Sequence, residues 1–185
     1  MGHHPHRPQS SFTIQMSFQN LYATSDFSKM LIGFGARMAR MTTFAKNNSK
    51  STVIPGLRYR DAMKAIDWLC KCMGFEKQAV YPGADGKVMH AQLTFGNGMI
   101  MLGSVDNGTP SSRLTKQPDE IQGAETQSPY LVVSNIEEMY ASVQAGGAKI
   151  TMPLEEKEYG GKGFTCADPE GHIWHVGTYD PWARL

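Results

Sequence analysis

Three side chains in the second two-thirds of this chain have the types and spacing to do chemistry: His90, Gln92 and His175. His90 and Gln92 lie two apart in the alternating run Val88–Phe95, so on a strand they share one face. An imidazole can pass a proton near neutral pH or ligate a metal. The Gln92 amide adds a neutral oxygen and N–H donors, but no charge. Three roles are open to the histidines: metal ligands together with Gln92, an acid or base, or hydrogen-bonding and structural groups. The last is the plainest. His172 falls on the strand face opposite His175, so one ion cannot take both; a carbonyl near its own turn is its expected partner. Met89, Met99 and Met101 lie on neighbouring strands, and a thioether wall suits an apolar ligand. Tyr159, Tyr179 and Trp182 are candidates for the rim of such a site. No Ser/His/Asp or Cys/His spacing, phosphate loop or dinucleotide fingerprint accompanies them, so no catalytic residue can be named.

These residues belong to a motif written twice. The first copy starts near Val53, has helical spacing over 62–73, turns at Gly74 and ends in strands over 77–81, 88–95 and 99–102. The second starts at Tyr130, has helical spacing over 136–145, turns at Gly146-Gly147 and ends in Ile173–Val176. The offset is nearly constant: 147 − 74 = 73 for the helix-closing glycines, 171 − 98 = 73 for Gly98 and Gly171, and 135 − 61 = 74 for Asp61 and Asn135. That period suits a duplicated half-domain rather than a solenoid. Asp61 and Asn135 stand where N-caps belong, and Gly74 where a left-handed C-cap belongs. In the first helix Ala62, Ala65, Ile66, Leu69, Cys70 and Met73 form the apolar stripe. Each half reads βαβββ, and two half-sheets that bury their helices together should leave a cleft.

Composition sets the surroundings. Residues 1–52 hold six Lys and Arg against Asp26 alone, a charge of +5, so the remainder carries −4 of the total +1. A mildly acidic domain without a basic stripe does not attract nucleic acid or an anionic membrane. No apolar run reaches the roughly 18 residues of a membrane span. Cys70, Cys72 and Cys166 are odd in number and lack framework spacing, which fits a reducing compartment such as the cytoplasm. Residues 1–52 are expected to be a disordered or removable leader. Their acid-poor, Arg- and Ser-bearing make-up leaves organellar targeting open, and His3, His4 and His6 could bind metal loosely. The working domain is then 53–181, with halves 53–103 and 129–181, a connector over 104–128 and a short tail over 182–185.

The run Arg58 to Trp68, the turn Asp168-Pro169-Glu170-Gly171-His172 leading to Trp174, and the paired βαβββ halves resemble the vicinal oxygen chelate superfamily, the glyoxalase, bleomycin-resistance and extradiol-dioxygenase group. The resemblance implies an α+β fold in which paired βαβββ modules form a curved mixed sheet around a cleft. In metal-dependent members the cleft holds one divalent ion on His and Glu from four matching strand positions. Here those positions fall near Ile54, Gln92, Ser128 (or Pro129) and His175, of which only His175 is a good ligand. The resemblance therefore implies a small-molecule cleft without a fixed metal or other cofactor, lined by His90, Gln92, Met99, Met101 and His175. It also implies a homodimer. The alternative is a metal-dependent lyase, isomerase or dioxygenase holding one divalent ion on His90, Gln92 and His175.

Overall fold

The computed structural model describes residues 50–183. The chain separates into a unit of residues 1–45 and one of residues 46–185, and the described residues belong to the second. The expectations for the leader lie outside them.

The fold is α+β, with the same topology built twice. β1 (Gly56–Tyr59), α1 (Ala62–Met73), β2 (Glu76–Pro82), β3 (Val88–Phe95) and β4 (Gly98–Ser104) make the first half. β5 (Tyr130–Val132), α2 (Ile136–Ala145), β6 (Lys149–Glu156), β7 (Lys162–Ala167) and β8 (Ile173–Gly177) make the second. The sheets run β1-β4-β3-β2 and β5-β8-β7-β6. Only β1 with β4 and β5 with β8, one edge pair in each sheet, are parallel. A parallel neighbour needs a long crossover, which the helix and hairpin of each half supply.

Both helices begin and end where their caps stand. The Asp61 carboxylate accepts from the Lys64 N–H at 3.1 Å, and Gly74 closes α1 at φ 74°, which costs glycine little. Asn135 occupies the N-cap of α2, but its amide reaches the Glu138 side chain at 3.4 Å instead of the helix backbone. The stripe of α1 includes Cys70, half-buried against the core, while Cys72 is buried outside that cluster, beside Gly146 at the end of α2. Cys70 stands four past Ile66 and three before Met73, so the three share one face.

One core serves both halves. Ile66, Leu69 and Met73 of α1 cluster with Phe164, Trp174 and Val176 of the second sheet, and Phe75 meets Trp174 edge-on at 5.7 Å. The helices touch directly: the Trp68 indole N–H donates to the Gly146 carbonyl at 2.8 Å. A Cβ on Gly146 would overlap Cys72 Sγ and come within 2.9 Å of Trp68 Nε1. Gly146→Ala should therefore cost about 1–3 kcal/mol through overpacking, read as a lower denaturant midpoint. An unchanged midpoint would mean that the two helices do not pack this closely. Among the described residues no helix is long and apolar enough to cross a membrane.

A second tie joins the halves beside this core. Asp168 Oδ2 accepts from the Tyr59 hydroxyl at 2.8 Å and the Trp174 indole at 3.2 Å. Asp168 Oδ1 accepts the backbone N–H groups of Glu170 and His172, each at 3.0 Å, which shapes the Asp-Pro-Glu-Gly-His turn. Glu170 in turn accepts the backbone N–H groups of Arg60 and Asp61 at 2.6 and 2.8 Å. The connector is strapped to the same corner. Arg60 pairs with Asp119 at 2.7 Å, and Arg58 Nη2 donates to Ser111 at 3.1 Å.

Candidate functional site

Alternation places the polar candidates on the sheet faces opposite the shared core. Ala91, Leu93, Ile100 and Leu102 are buried in that core. On the other face of the same strands, Gln92 stands opposite Met101 and Thr94 opposite Met99. The Gln92 amide reaches His90 Nε2 at 3.3 Å, and Tyr81 of β2 stacks over the His90 ring at 6.0 Å between centroids. One expected facing differs. Val88 is buried, while Met89 is 39% exposed, the reverse of a strict alternation from Ala91. The cause is a register break where Tyr81 and Pro82 pair with His90 and Val88. Met89 therefore turns out of the core, to the side of the sheet away from Ala91 and Leu93.

The second sheet repeats this arrangement with other residues. His175 stands between Tyr130 of β5 and Thr165 of β7, while Trp174 and Val176 turn to the core. Thr165 Oγ1 and His175 Nδ1 are 2.9 Å apart. That bond fixes the ring and leaves Nε2 as the nitrogen for a ligand. His90 with Gln92 and His175 with Thr165 are thus two pairs on two sheets, each on the face its sheet turns away from the core.

Pairing register also fixes which positions correspond. β1–β4 and β5–β8 match Gly56 and Met101 to Tyr130 and His175, an offset of 175 − 101 = 74. β3 and β7 match Gln92 to Thr165, an offset of 165 − 92 = 73. The counterpart of His175 is therefore Met101 and not Gln92, while Ile54 and Ser128 precede their strands. A thioether is a soft ligand and suits a hard divalent ion poorly. Among the described residues no three His, Cys, Asp or Glu side chains are grouped to hold a metal ion. Acidic residues are also missing from β1, β3, β4, β5, β7 and β8; in these sheets they occur only in β2 and β6. Within one chain these faces offer imidazole, amide, hydroxyl and thioether groups, and no carboxylate, as donors.

His172 is committed to structure. Its Nδ1 lies 2.7 Å from the Glu125 carboxylate, and its Nε2 lies 2.8 Å from the Arg58 carbonyl. The carbonyl expected near its own turn is instead in the other half, 114 residues away. Cys72 and Cys166 are buried; burial, then the Asp168 carboxylate, pushes the Cys166 thiol up to about 12. Such a thiol is no nucleophile at neutral pH.

A separate cavity lies elsewhere. About 950 Å³ opens between the segment Lys50–Val53, the β3–β4 turn and β5, floored by Phe75, Phe95 and Leu131. Its lining mixes apolar groups with Lys50, Asn97 and Asp180, and includes neither histidine pair. A smaller cavity of about 400 Å³ is lined by Tyr130, Tyr159, Tyr179 and Pro181. Sequence spacing offers Tyr159 and Tyr179 as candidates without their facing and misses Tyr130. The three meet only through the β6–β7 turn and the segment after β8.

Comparison with known proteins agrees with this architecture. Residues 51–176 match the Glyoxalase/Bleomycin resistance protein/Dioxygenase superfamily, and the chain belongs to that family. An uncharacterized protein of Mycobacterium bovis is 28% identical over 130 residues, 70% of this chain and 84% of that protein. The crystal structure of TioX from Micromonospora sp. ML1 is similar at 29% identity and a TM-score of 0.53, over 69% of this chain and 97% of that one. The fosfomycin resistance protein FosX of Listeria monocytogenes, solved with Mn(II) and 1S,2S-dihydroxypropylphosphonic acid, gives a TM-score of 0.53. At 11% identity, over 71% of this chain and 91% of that one, it shares the fold alone.

Proposed function

We propose that this protein binds a small molecule, without a fixed catalytic metal, on the sheet faces that carry His90, Gln92, Met99, Met101 and His175. The observation that carries this reading is chemical. The six strands that would frame a cleft contain no carboxylate, and Gln92, Met101 and Thr165 lie on inner strands of their sheets. Neutral hydrogen-bonding groups among thioethers suit a largely apolar ligand with a few polar atoms. A homodimer would complete each face. Tyr81, Met89, Val132 and Met152 are between 39% and 54% exposed, more apolar surface than a lone sheet face usually leaves to water. The three free cysteines suit the cytoplasm or another reducing compartment.

The competing reading is a metal-dependent lyase, isomerase or dioxygenase in which two chains bring His90, Gln92 and His175 together. It is supported by the half-exposed histidine on each face. Metal analysis separates the two. After exposure to Zn(II), Ni(II), Mn(II) and Fe(II), wild type and His175→Ala should retain the same metal, because the leader histidines contribute equally to both. A loss of about one ion per chain in the variant would establish the metal-dependent reading instead. Light scattering on a sizing column should report two chains per particle, and a monomer would remove the dimeric cleft.

A further inference from the structure

We propose that Tyr130, Tyr159, Tyr179 and Pro181 form an aromatic cage for a methylated ammonium group. The site adjoins the His175 face through Tyr130 but does not rest on the reading given to that face, since one chain supplies all four residues.

The walls are built. Tyr159 and Tyr179 stand nearly perpendicular, with centroids 5.5 Å apart and planes at 73°. Tyr130 is pinned as the third wall by its hydroxyl, which donates to the Tyr179 carbonyl at 3.0 Å. It can lie there because position 177 is glycine: a Cβ would come within 3.1 Å of Tyr130 Cε2. The cavity between them measures about 400 Å³. None of these rings is used up by the core; Tyr130, Tyr159 and Tyr179 keep 41%, 63% and 37% of their surface exposed.

Charge selects the occupant. Aromatic faces are negative, so converging rings attract a cation and offer a neutral hydrocarbon only contact. The surroundings add to that field. Within residues 155–162, Glu155, Glu156 and Glu158 outnumber Lys157 and Lys162, and Asp180 follows Tyr179, for a sum of −2. Both lysines are already engaged, Lys157 by Glu155 at 2.7 Å and Lys162 by Glu137 at 2.6 Å. The Tyr130 hydroxyl is raised by burial first and then by Tyr159, with smaller contributions from the Tyr179 and Asp180 charges, against the hydrogen bond to the Tyr179 carbonyl, which lowers it. A bare ammonium would bring three N–H donors to walls that are mostly ring carbon. Methyl groups remove those donors, keep the charge and fill the space between rings.

The test uses the full chain, labelled with nitrogen-15, titrated with tetramethylammonium chloride, with tert-butanol as the neutral isostere and sodium chloride as the salt control. Tetramethylammonium should shift the amide signals around residues 159–161 and 178–182 saturably, and neither control should. Tyr159→Ala should weaken binding about two- to fivefold, the loss of one exposed cation–π wall, and Tyr159→Phe should leave it nearly unchanged. Equal binding of tert-butanol, no saturable response, or indifference to Tyr159→Ala would each overturn the proposal.

Discussion

Asp168→Ala is expected to be among the most damaging single substitutions in this protein, at about 3–5 kcal/mol. The carboxylate is 5% exposed and accepts four hydrogen bonds. Two come from side chains that sit in the shared core, Tyr59 at 1% exposure and Trp174 at 0%. Removing the acceptor leaves a buried phenol and a buried indole N–H with no water to replace it, and frees the two turn amides as well. Each buried orphan costs about 1–3 kcal/mol, while the bond it replaces contributed less. Asp168→Asn keeps one acceptor oxygen and should cost about half as much. Tyr59→Phe removes the donor together with its need and should cost only about 1 kcal/mol. Guanidinium unfolding monitored by far-ultraviolet circular dichroism orders the three. If Asp168→Ala moved the midpoint no more than Tyr59→Phe, the carboxylate would not be the tie that joins the halves.

The same turn shows how far sequence alone reaches. Helices over 62–73 and 136–145 were legible to the residue because caps and apolar spacing agree, and both signals are local. The twofold βαβββ plan was legible from the repeat. Asp168-Pro169-Glu170-Gly171 was legible as a turn, but its partner Tyr59 lies 109 residues away, and no local pattern pairs them. Facing failed at Val88 and Met89 for a related reason. A register break shifts the alternation, and the residues that cause it lie on the neighbouring strand. Matching the halves by a uniform offset of 73 sends His175 to Leu102, a core residue. Only the β-pairing shows that the second turn is one residue longer, so that His175 corresponds to Met101. The facing of these strands was therefore partly legible in the sequence, and the register between the halves was not. Tyr130 illustrates the remainder: its role depends on a glycine 47 positions later and on a turn between two other strands.

Alkaline pH should strip stability from the folded chain in steps assigned to named groups. Burial first, and then the Asp168 carboxylate, lift the Cys166 thiol from 9.0 to about 12. Burial, and then the charge and hydrogen bond of Asp168, hold the Tyr59 phenol well above 10.0. Both groups move in the same direction: the native state keeps protons that the unfolded chain releases. Their stabilisation is complete below pH 9, where the unfolded thiol is still protonated, and drains as pH rises toward the native values. Cys166 alone accounts for up to about 4 kcal/mol across its window, because each tenfold difference in proton affinity between the two states is worth about 1.4 kcal/mol. Cys70 adds a smaller share of the same sign, because it is only half buried. Between pH 9 and 10 the thiols act almost alone, before the unfolded phenols ionise. Denaturant unfolding at a series of pH values should therefore give a flatter profile for Cys166→Ala than for wild type in that interval. The variant starts lower, since it trades a buried sulfur for a small void, and the two curves should converge as pH rises. Parallel curves would mean that the Cys166 thiol titrates alike in both states, and with that the closed, dry core beneath the Asp168 turn would have to be abandoned.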